Sequence, residues 1–396
     1  MDAGSIAWLL TASALVLLMT PGLAFFYGGL VRAKNVLNLM TQCFMIMGLV
    51  SIIWVLWGYS LAFGPSIGGF VGNPLTHLGL AGINGAEAQS FAMFQMMFAI
   101  ITPALIVGAI ADRFKFTTLI VFVALWSTLV YSPIAHWVWG EGGWLLTMGA
   151  LDFAGGTVVH ISSGFSALVA AIVVGKRSGK LDNFKPHNIP YVLLGTGLLW
   201  FGWFGFNAGS ALAADGIAVN AFLVTNTSAA AGALMMMFLS MRSTGKPSAV
   251  MVACGAVAGL VAITPASGFV GPVAAILIGA GVGLVSWFAI QFKNQRGWDD
   301  SLDVWAVHGM GGVWGALATG LFASSAYGLG VDGIFSGGDI SVLTTQIIAV
   351  VATIAYAGIV TFILLKVLDK TIGLRVDAKD EEAGMDISVH AEEAYN

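Results

Sequence analysis

Two histidines sit where a histidine is costly. His160 lies in GGTVVHISSGFSALVAAIVVGK (155–176) and His308 in DVWAVHGMGGVWGALATGLFAS (303–324), each an otherwise apolar run. An ionisable ring in hydrocarbon marks a substrate or proton path by default. The two runs resemble one another. Val159-His160 matches Val307-His308, Gly164 and Gly312 follow four residues on, and Asp152 and Asp300 stand eight residues before. A pseudo-twofold axis that brings the imidazoles together lets each satisfy the other's nitrogen. A proton shared between two neutral rings removes the cost of burying a charge. One membrane histidine alone reads as a hydrogen bond between helices; two at repeat-equivalent positions favour a substrate path. His77 and His136 are expected outside the bilayer or at its rim, and His187 and His390 in cytoplasmic loops, all in solvated or capping roles.

The composition supplies the setting. The chain has 396 residues, 58% hydrophobic and 9% charged, against roughly 25% charged in a soluble domain. Runs of about 20 apolar residues, the length that spans about 30 Å of hydrocarbon, recur from end to end. They are too long and too uniformly apolar for barrel strands, so helices must satisfy the backbone in lipid. The 52 glycines suit closely packed membrane helices. The expected fold is an all-α membrane protein with eleven spans, at about 5–31, 36–63, 89–111, 116–138, 155–175, 189–213, 217–240, 248–265, 270–292, 303–324 and 341–368. Residues 1–370 form the membrane domain and 371–396 a cytoplasmic tail.

Charge predicts the orientation. The 16 Lys and Arg fall in alternate connections or near the C-terminus, from Arg32 and Lys34 to Arg375 and Lys379, while 64–88 and 325–340 contain none. The positive-inside rule places the charged set in the cytoplasm, with the N-terminus out and the C-terminus in. The two histidine segments are five spans apart, so the repeats insert upside down relative to each other, with a site near the midplane. The repeats cover about 5–176 and 189–324, joined by KLDNFKPHNIP (180–190), and a last helix follows at about 341–368. From His160 to Lys176 is 16 residues, about 24 Å of helix. Each histidine then lies near mid-membrane only if DFAGG (152–156) and GWDDSLD (297–303) dip inward, around a vestibule on each side.

Other features narrow the function. A net charge of −4 gives no argument for nucleic acid. Cys43 and Cys254 lie in apolar spans without metal-ligand spacing and read as small core residues. No metal site and no cofactor is indicated. The first apolar run is too long for a cleavable signal and lacks a basic start.

At these residues the chain resembles the ammonium transporter (Amt) family of the Amt/Mep/Rh superfamily, of bacterial or archaeal type. The resemblance runs through PGLAFFYGGLVRAKN (21–35), VGAIADRFKF (107–116), IAHWVWG (134–140), LDFAGGTVVHI (151–161), GWFGFNAGS (202–210), DVWAVHGMGG (303–312) and the tail GLRV…GMDISVHAEEAYN (373–396). It implies two five-helix inverted repeats plus a final helix, a homotrimer, and one pore per subunit. It also implies an outer recruitment site of Trp139, Ser210 and Phe98, a gate of Phe98 and Phe206, and a pore lined by His160, His308 and Trp203. Asp152 supports the recruitment site from behind, and Phe94 adds to the vestibule wall. The tail packs on the cytoplasmic face, where many relatives dock a trimeric PII-type regulator. Trp144 lies between Trp139 and Asp152 and is a rival vestibule aromatic. Pro103, one turn after Phe98, is a candidate kink.

The implied residues make chemical sense. Trp139 offers a ring face to a cation, an attraction of about 0.5–2 kcal/mol. Ser210 offers a lone pair. A fully exposed Asp152 would also attract K⁺ and Na⁺, so a buried carboxylate bonded to the DFAGG backbone or to hydroxyls is expected. Read without the resemblance, Trp139 is an interfacial anchor, Asp152 an N-cap, Ser210 a bond within its own helix, and the two phenylalanines packing. Burying a bare cation costs tens of kcal/mol by idealised estimates. Deprotonating an amine of pKa about 10.4 at pH 7 costs roughly 4–5 kcal/mol. An apolar pore therefore favours neutral NH₃ and rejects K⁺, which has no proton to lose. Imidazoles in contact offer the released proton a separate relay, and an ammonium-dependent current across proteoliposomes distinguishes net charge transfer from neutral passage.

The alternatives are an Rh-type channel for neutral gas, an ammonium sensor with a long cytoplasmic domain, and an enzyme with His160 and His308 as haem ligands. The aromatic cation site argues against the first. About 27 residues after the last span argue against the second, and a colourless protein would exclude the third.

Overall fold

The computed structural model describes residues 1–179 and 184–395. Lys180 and the first part of the expected link 180–190 lie outside the described residues, as does Asn396 of the tail. Nine described helices are long and apolar enough to cross a membrane: Ala3–Leu30, Ala33–Phe63, Ala86–Ile110, Phe116–Met148, Gly156–Val174, Ile189–Gly209, Gly216–Thr244, Pro272–Arg296 and Ile340–Thr371. The other two expected spans are helical but short or interrupted. Ala249–Ile263 has 15 residues, and the last is a π-helical turn, Trp305–Gly309, continued by Met310–Phe322.

Helix ends follow local chemistry. Carboxylates of Asp2 and Asp215 accept from the N–H groups of Ser5 and Ala218, and the Ser248 hydroxyl accepts from Met251. Such caps satisfy donors that the first turn leaves free. Helix faces, by contrast, are apolar all round, so position in the bundle is set by packing rather than by an amphipathic stripe. In an 18-residue apolar stretch of Ala86–Ile110, 89% of the residues are buried and the helix is central, whereas in the matching stretch of Ile340–Thr371 only 33% are and the helix is peripheral.

The first helices of the two halves, Ala3–Leu30 and Ile189–Gly209, pack tightly against each other. The histidine helices cross equally closely. A Cβ on Gly164 would lie 2.2 Å from the Gly309 nitrogen, and one on Gly312 would lie 3.1 Å from the His160 Cβ. The repeated glycine four residues after each histidine is what allows the two backbones to touch.

Several basic connections gather at one end. Arg113, fully buried, donates to the carbonyls of Ala109, Ala111, Gly175 and Asp299 and to the Ser301 hydroxyl. Arg177 forks onto Asp299, and Arg32 and Asn35 bind Asp112. The tail is stitched to the same end. The Val376 N–H donates to Arg113 O, Arg375 pairs with Glu381, and the Asp386 carboxylate caps Val36–Ile53 by accepting from Leu37 and Asn38 at 3.1 and 2.8 Å.

At the other end lies a hairpin, Ser66–Ile67 with Val71–Gly72, paired antiparallel with Ser66 opposite Gly72. It corrects the expectation for His136. That ring is fully buried, bonded to Ala62 O at 2.9 Å and Ser66 Oγ at 2.8 Å, because the hairpin folds over it. His77 is exposed and bonds Ala81 O, as a capping role predicts. Cys43 and Cys254 are buried and free.

Candidate functional site

The Gly156–Val174 segment begins in a π-helical turn, Gly156–Ile161, that contains His160, and Trp305–Gly309 likewise contains His308. Each turn starts below a buried aspartate. Asp152 Oδ1 accepts from the N–H groups of Gly155 and Gly156 at 2.8 and 2.6 Å. Its Oδ2 accepts from the N–H groups of Thr157 and Val158 at 2.8 and 3.2 Å and from the Thr157 hydroxyl. Asp300 accepts in the same way from Val304 and Trp305 at 3.1 and 2.8 Å. The carboxylates take the donors that a helix beginning inside a protein leaves unpaired.

The two imidazoles touch. Nδ1 of His308 lies 3.3 Å from Nδ1 of His160, with ring centroids 5.3 Å apart and planes at 28°. Two neutral rings sharing an Nδ1···Nδ1 bond must hold opposite tautomers, one donating and one accepting. Trp203 stacks on His160 at 5.4 Å and anchors its indole N–H on Thr264 Oγ1 at 2.9 Å. The space beside the pair is about 10 Å³ and is lined by Leu23, Ile101, Leu105, Leu199 and Val257. That is at the lower limit for one water, and only the imidazoles offer it polar partners.

Phe206 and Phe98 separate this space from a much larger one. Their centroids are 4.3 Å apart. Phe94 meets Phe98 edge-on at 4.9 Å, and both side chains are buried. Beyond them opens a cavity of about 450 Å³ lined by Phe98, Trp139, Asp152, Ser210 and Gln95 among others. Trp139 stands perpendicular to Phe98 at 5.9 Å, and its indole N–H donates to the Asp152 carbonyl at 2.9 Å. Ser210 ends Ile189–Gly209 and donates its hydroxyl to Phe206 O at 2.8 Å, which leaves its lone pairs for a donor.

The structure thus brings together Trp139, Ser210, Phe98, Phe206, His160, His308, Trp203 and Asp152, whereas Phe94, expected in the vestibule wall, is buried behind Phe98 and does not line the cavity. Trp144 is elsewhere. Its ring packs on Phe70 and Trp137, and it does not line the cavity. Pro103 sits inside Ala86–Ile110, which continues through it. One polar lining residue was missed. Gln95 is 9% exposed, and its Oε1 is buried without a partner. An amide in an otherwise apolar span was the signal available. Among the described residues, no cluster of three or more His, Cys, Asp or Glu is placed to hold a metal ion.

Comparison with known proteins follows the geometry. The chain is 48% identical over 396 residues to Ammonium transporter Amt1 of Archaeoglobus fulgidus, covering all of both chains. It is 48% identical over 405 residues to the ammonium transporter of Bacillus subtilis, covering all of this chain and 99% of that one. The crystal structure of Saccharomyces cerevisiae Mep2 superposes with a TM-score of 0.89 at 37% identity, over 96% of this chain and 89% of that one. A structure titled Sensor Amt Protein gives 0.91 at 31% identity over 98% of each chain. With its long apolar helices, the chain is a multi-pass protein of the cell membrane. The sequence pattern described as Ammonium Transporter Family matches residues 7–395, and the chain belongs to that family.

Proposed function

We propose that the protein recruits NH₄⁺ in the cavity beside Trp139, where the ion gives up a proton to water, and conducts NH₃ past Phe98 and Phe206 and the His160–His308 pair. The chain crosses the membrane eleven times, N-terminus outside and C-terminus in the cytoplasm, with the 450 Å³ cavity facing out. It works as a homotrimer with one pore per subunit and takes methylammonium as an analogue. A PII-type signal protein docks at the cytoplasmic face, where the tail is packed.

One observation carries the reading. A cavity offering aromatic faces and free oxygen lone pairs ends at a closed phenylalanine pair, and a nearly dry space with two neutral-paired imidazoles lies behind it. The first part suits an ion with four N–H donors. Trp139 and Phe98 supply π faces, and Ser210 Oγ and Gln95 Oε1 supply acceptors. The second part suits only a neutral molecule, because the ion would exchange its water for hydrocarbon at a cost of tens of kcal/mol by idealised estimates. Losing the proton costs roughly 4–5 kcal/mol at pH 7 for an amine of pKa about 10.4. The aspartate behind the cavity favours the cation without binding it directly, since its oxygens are already committed to five donors.

Methylammonium uptake by vesicles tests the reading, with wild type, His160→Ala and Trp139→Leu compared. Trp139→Leu is expected to weaken affinity and relax rejection of K⁺. Affinity and selectivity both unchanged would place recruitment elsewhere.

A further inference from the structure

We propose that His136 is a positioning residue for Trp139: its ring locks the end of the helix that carries the indole and so sets how tightly the cavity holds a cation. The inference rests on the transport reading above and adds a residue that the reading does not contain.

Trp139 is the last residue of the helix Ser132–Trp139. Its indole N–H is held by Asp152 O, but the backbone that carries the ring must be fixed by other contacts. His136 lies one turn earlier and is fully buried. Its Nδ1 lies 2.9 Å from Ala62 O and its Nε2 lies 2.8 Å from Ser66 Oγ. A carbonyl only accepts, so Nδ1 carries the proton, and Nε2 of the neutral ring takes the Ser66 hydroxyl. Both nitrogens are thus committed to one stretch of chain, 74 and 70 residues away in sequence.

Two features put the Ala62 bond at the cavity wall. Phe63, which follows Ala62, lines the cavity and meets Phe91, another wall ring, edge-on at 5.0 Å. Gly140, which follows Trp139, has no room for a side chain. A Cβ there would lie 2.5 Å from His136 Nδ1 and 2.7 Å from Ala62 O, so the bond passes directly beside the residue after the indole. The His136 carbonyl accepts from the Gly140 N–H at 3.0 Å, and ring and backbone of one histidine close on the same glycine. Ala62 O belongs to the short helix Tyr59–Phe63, whose last carbonyls have no partner within the helix. The histidine supplies one, and in doing so joins the Phe63 wall to the Trp139 wall.

The hairpin that covers His136 has other anchors. Trp137 donates its indole N–H to Phe70 O at 2.8 Å, and the Trp144 N–H donates to Gly69 O at 3.2 Å. Neither Trp137 nor Trp144 lines the cavity. His136 instead ties the segment that enters the wall to the last turn before Trp139. Its substitution is therefore expected to loosen the wall while the hairpin stays in place. A ring face out of position loses part of a cation–π attraction, an effect of roughly fivefold in affinity.

The test is methylammonium uptake by vesicles carrying the full chain, read as half-saturating concentration and as maximal rate per folded protein. His136→Leu is expected to raise the half-saturating concentration roughly fivefold and to leave the maximal rate unchanged, since the phenylalanine and histidine pairs are untouched. His136→Asn, whose amide N–H falls near the position of Nδ1, should restore the wild-type value. His136→Gln, which reaches toward the position of Nε2, should not. In a Trp139→Leu background the leucine change at position 136 should add nothing, because the ring it positions is gone. A structural role alone would lower the amount of folded protein and would add to Trp139→Leu rather than vanish beside it. A wild-type half-saturating value in folded His136→Leu overturns the proposal, as does an equal effect with and without Trp139. If His136→Leu fails to assemble, His136→Gln takes its place, and a wild-type value there overturns the proposal equally. Wild-type vesicles without saturable uptake, or Trp139→Leu without effect on affinity, would instead sink the transport reading.

Discussion

The indole N–H of Trp139 donates to the backbone carbonyl of Asp152 across 2.9 Å, while the carboxylate of the same aspartate holds the turn from Gly155 to Val158. One residue thus fixes the Trp139 ring on one side and the start of the histidine helix on the other. Asp152→Ala would leave four buried N–H groups without an acceptor, each worth about 1–3 kcal/mol. The variant is expected to unfold early in detergent and to transport nothing. Asp152→Asn keeps the shape but turns an amide N–H₂ toward donors, so it should also lower the melting temperature. An asparagine variant as heat-stable as wild type would show that the turn stands without the carboxylate.

Gln95 tests whether the cavity offers a second oxygen. Its Oε1 is buried without a partner in the wall that Ser210 shares. A hydrogen bond to a charged group contributes about 1.5–3 kcal/mol, so Gln95→Leu should weaken ammonium binding tenfold or more. Competition of ammonium against methylammonium uptake measures it. Gln95→Glu should bind the cation more tightly and discriminate less against K⁺. An inhibition constant untouched by the leucine change would remove Gln95 from the site.

How much of this was legible beforehand depends on whether a signal was local or repeated. The histidines, their aspartates eight residues back and their glycines four residues on stood out because the chain presents them twice. The carboxylate bonding of Asp152 was foreseeable too, since a helix starting inside the membrane must find acceptors for its first N–H groups. The π-helical turns were not, because nothing in GTVVHI or WAVHG distinguishes five-residue from four-residue bonding. Burial of His136 depends on a hairpin 70 residues away in sequence. Gln95 is one polar residue in an apolar span, and only the cavity that it lines with Ser210 sets it apart. The ion pairs around Asp299 join residues up to 122 apart, a separation at which spacing carries no information.

The imidazole pair predicts a specific coupling. Removing one ring leaves the other's Nδ1 buried and unpaired in a space lined by leucine and isoleucine. The cost of an orphaned buried group is about 1–3 kcal/mol. Removing both rings leaves no orphan. Thermal unfolding of wild type, His160→Leu, His308→Leu and the double variant should therefore show the double losing less than the two singles together, by about 1 kcal/mol. Strict additivity would mean that the rings do not satisfy each other.

Asp299 carries a pH dependence whose sign can be worked out. Burial pushes its carboxyl up, but hydrogen bonds and charge from Arg177, with the charge of Arg113, outweigh burial and hold it below the usual carboxylate value. A folded-state value lower than the unfolded one stabilises the protein at every pH above the unfolded pKa, about 3.9. That contribution is lost as pH falls through the lower folded value. The end of the bundle that Asp299 joins to Arg177 should accordingly loosen only below about pH 4. Limited proteolysis of the tail is a direct readout, because Ser178, next to Arg177, binds Glu381 of that tail. Asp299→Asn should loosen the tail already at neutral pH and weaken the acid limb, since one of the paired carboxylates at that end is gone. If the asparagine variant kept the wild-type acid limb, the groups that titrate would lie elsewhere, and the Arg177 fork would be an ornament of the fold rather than its fastener.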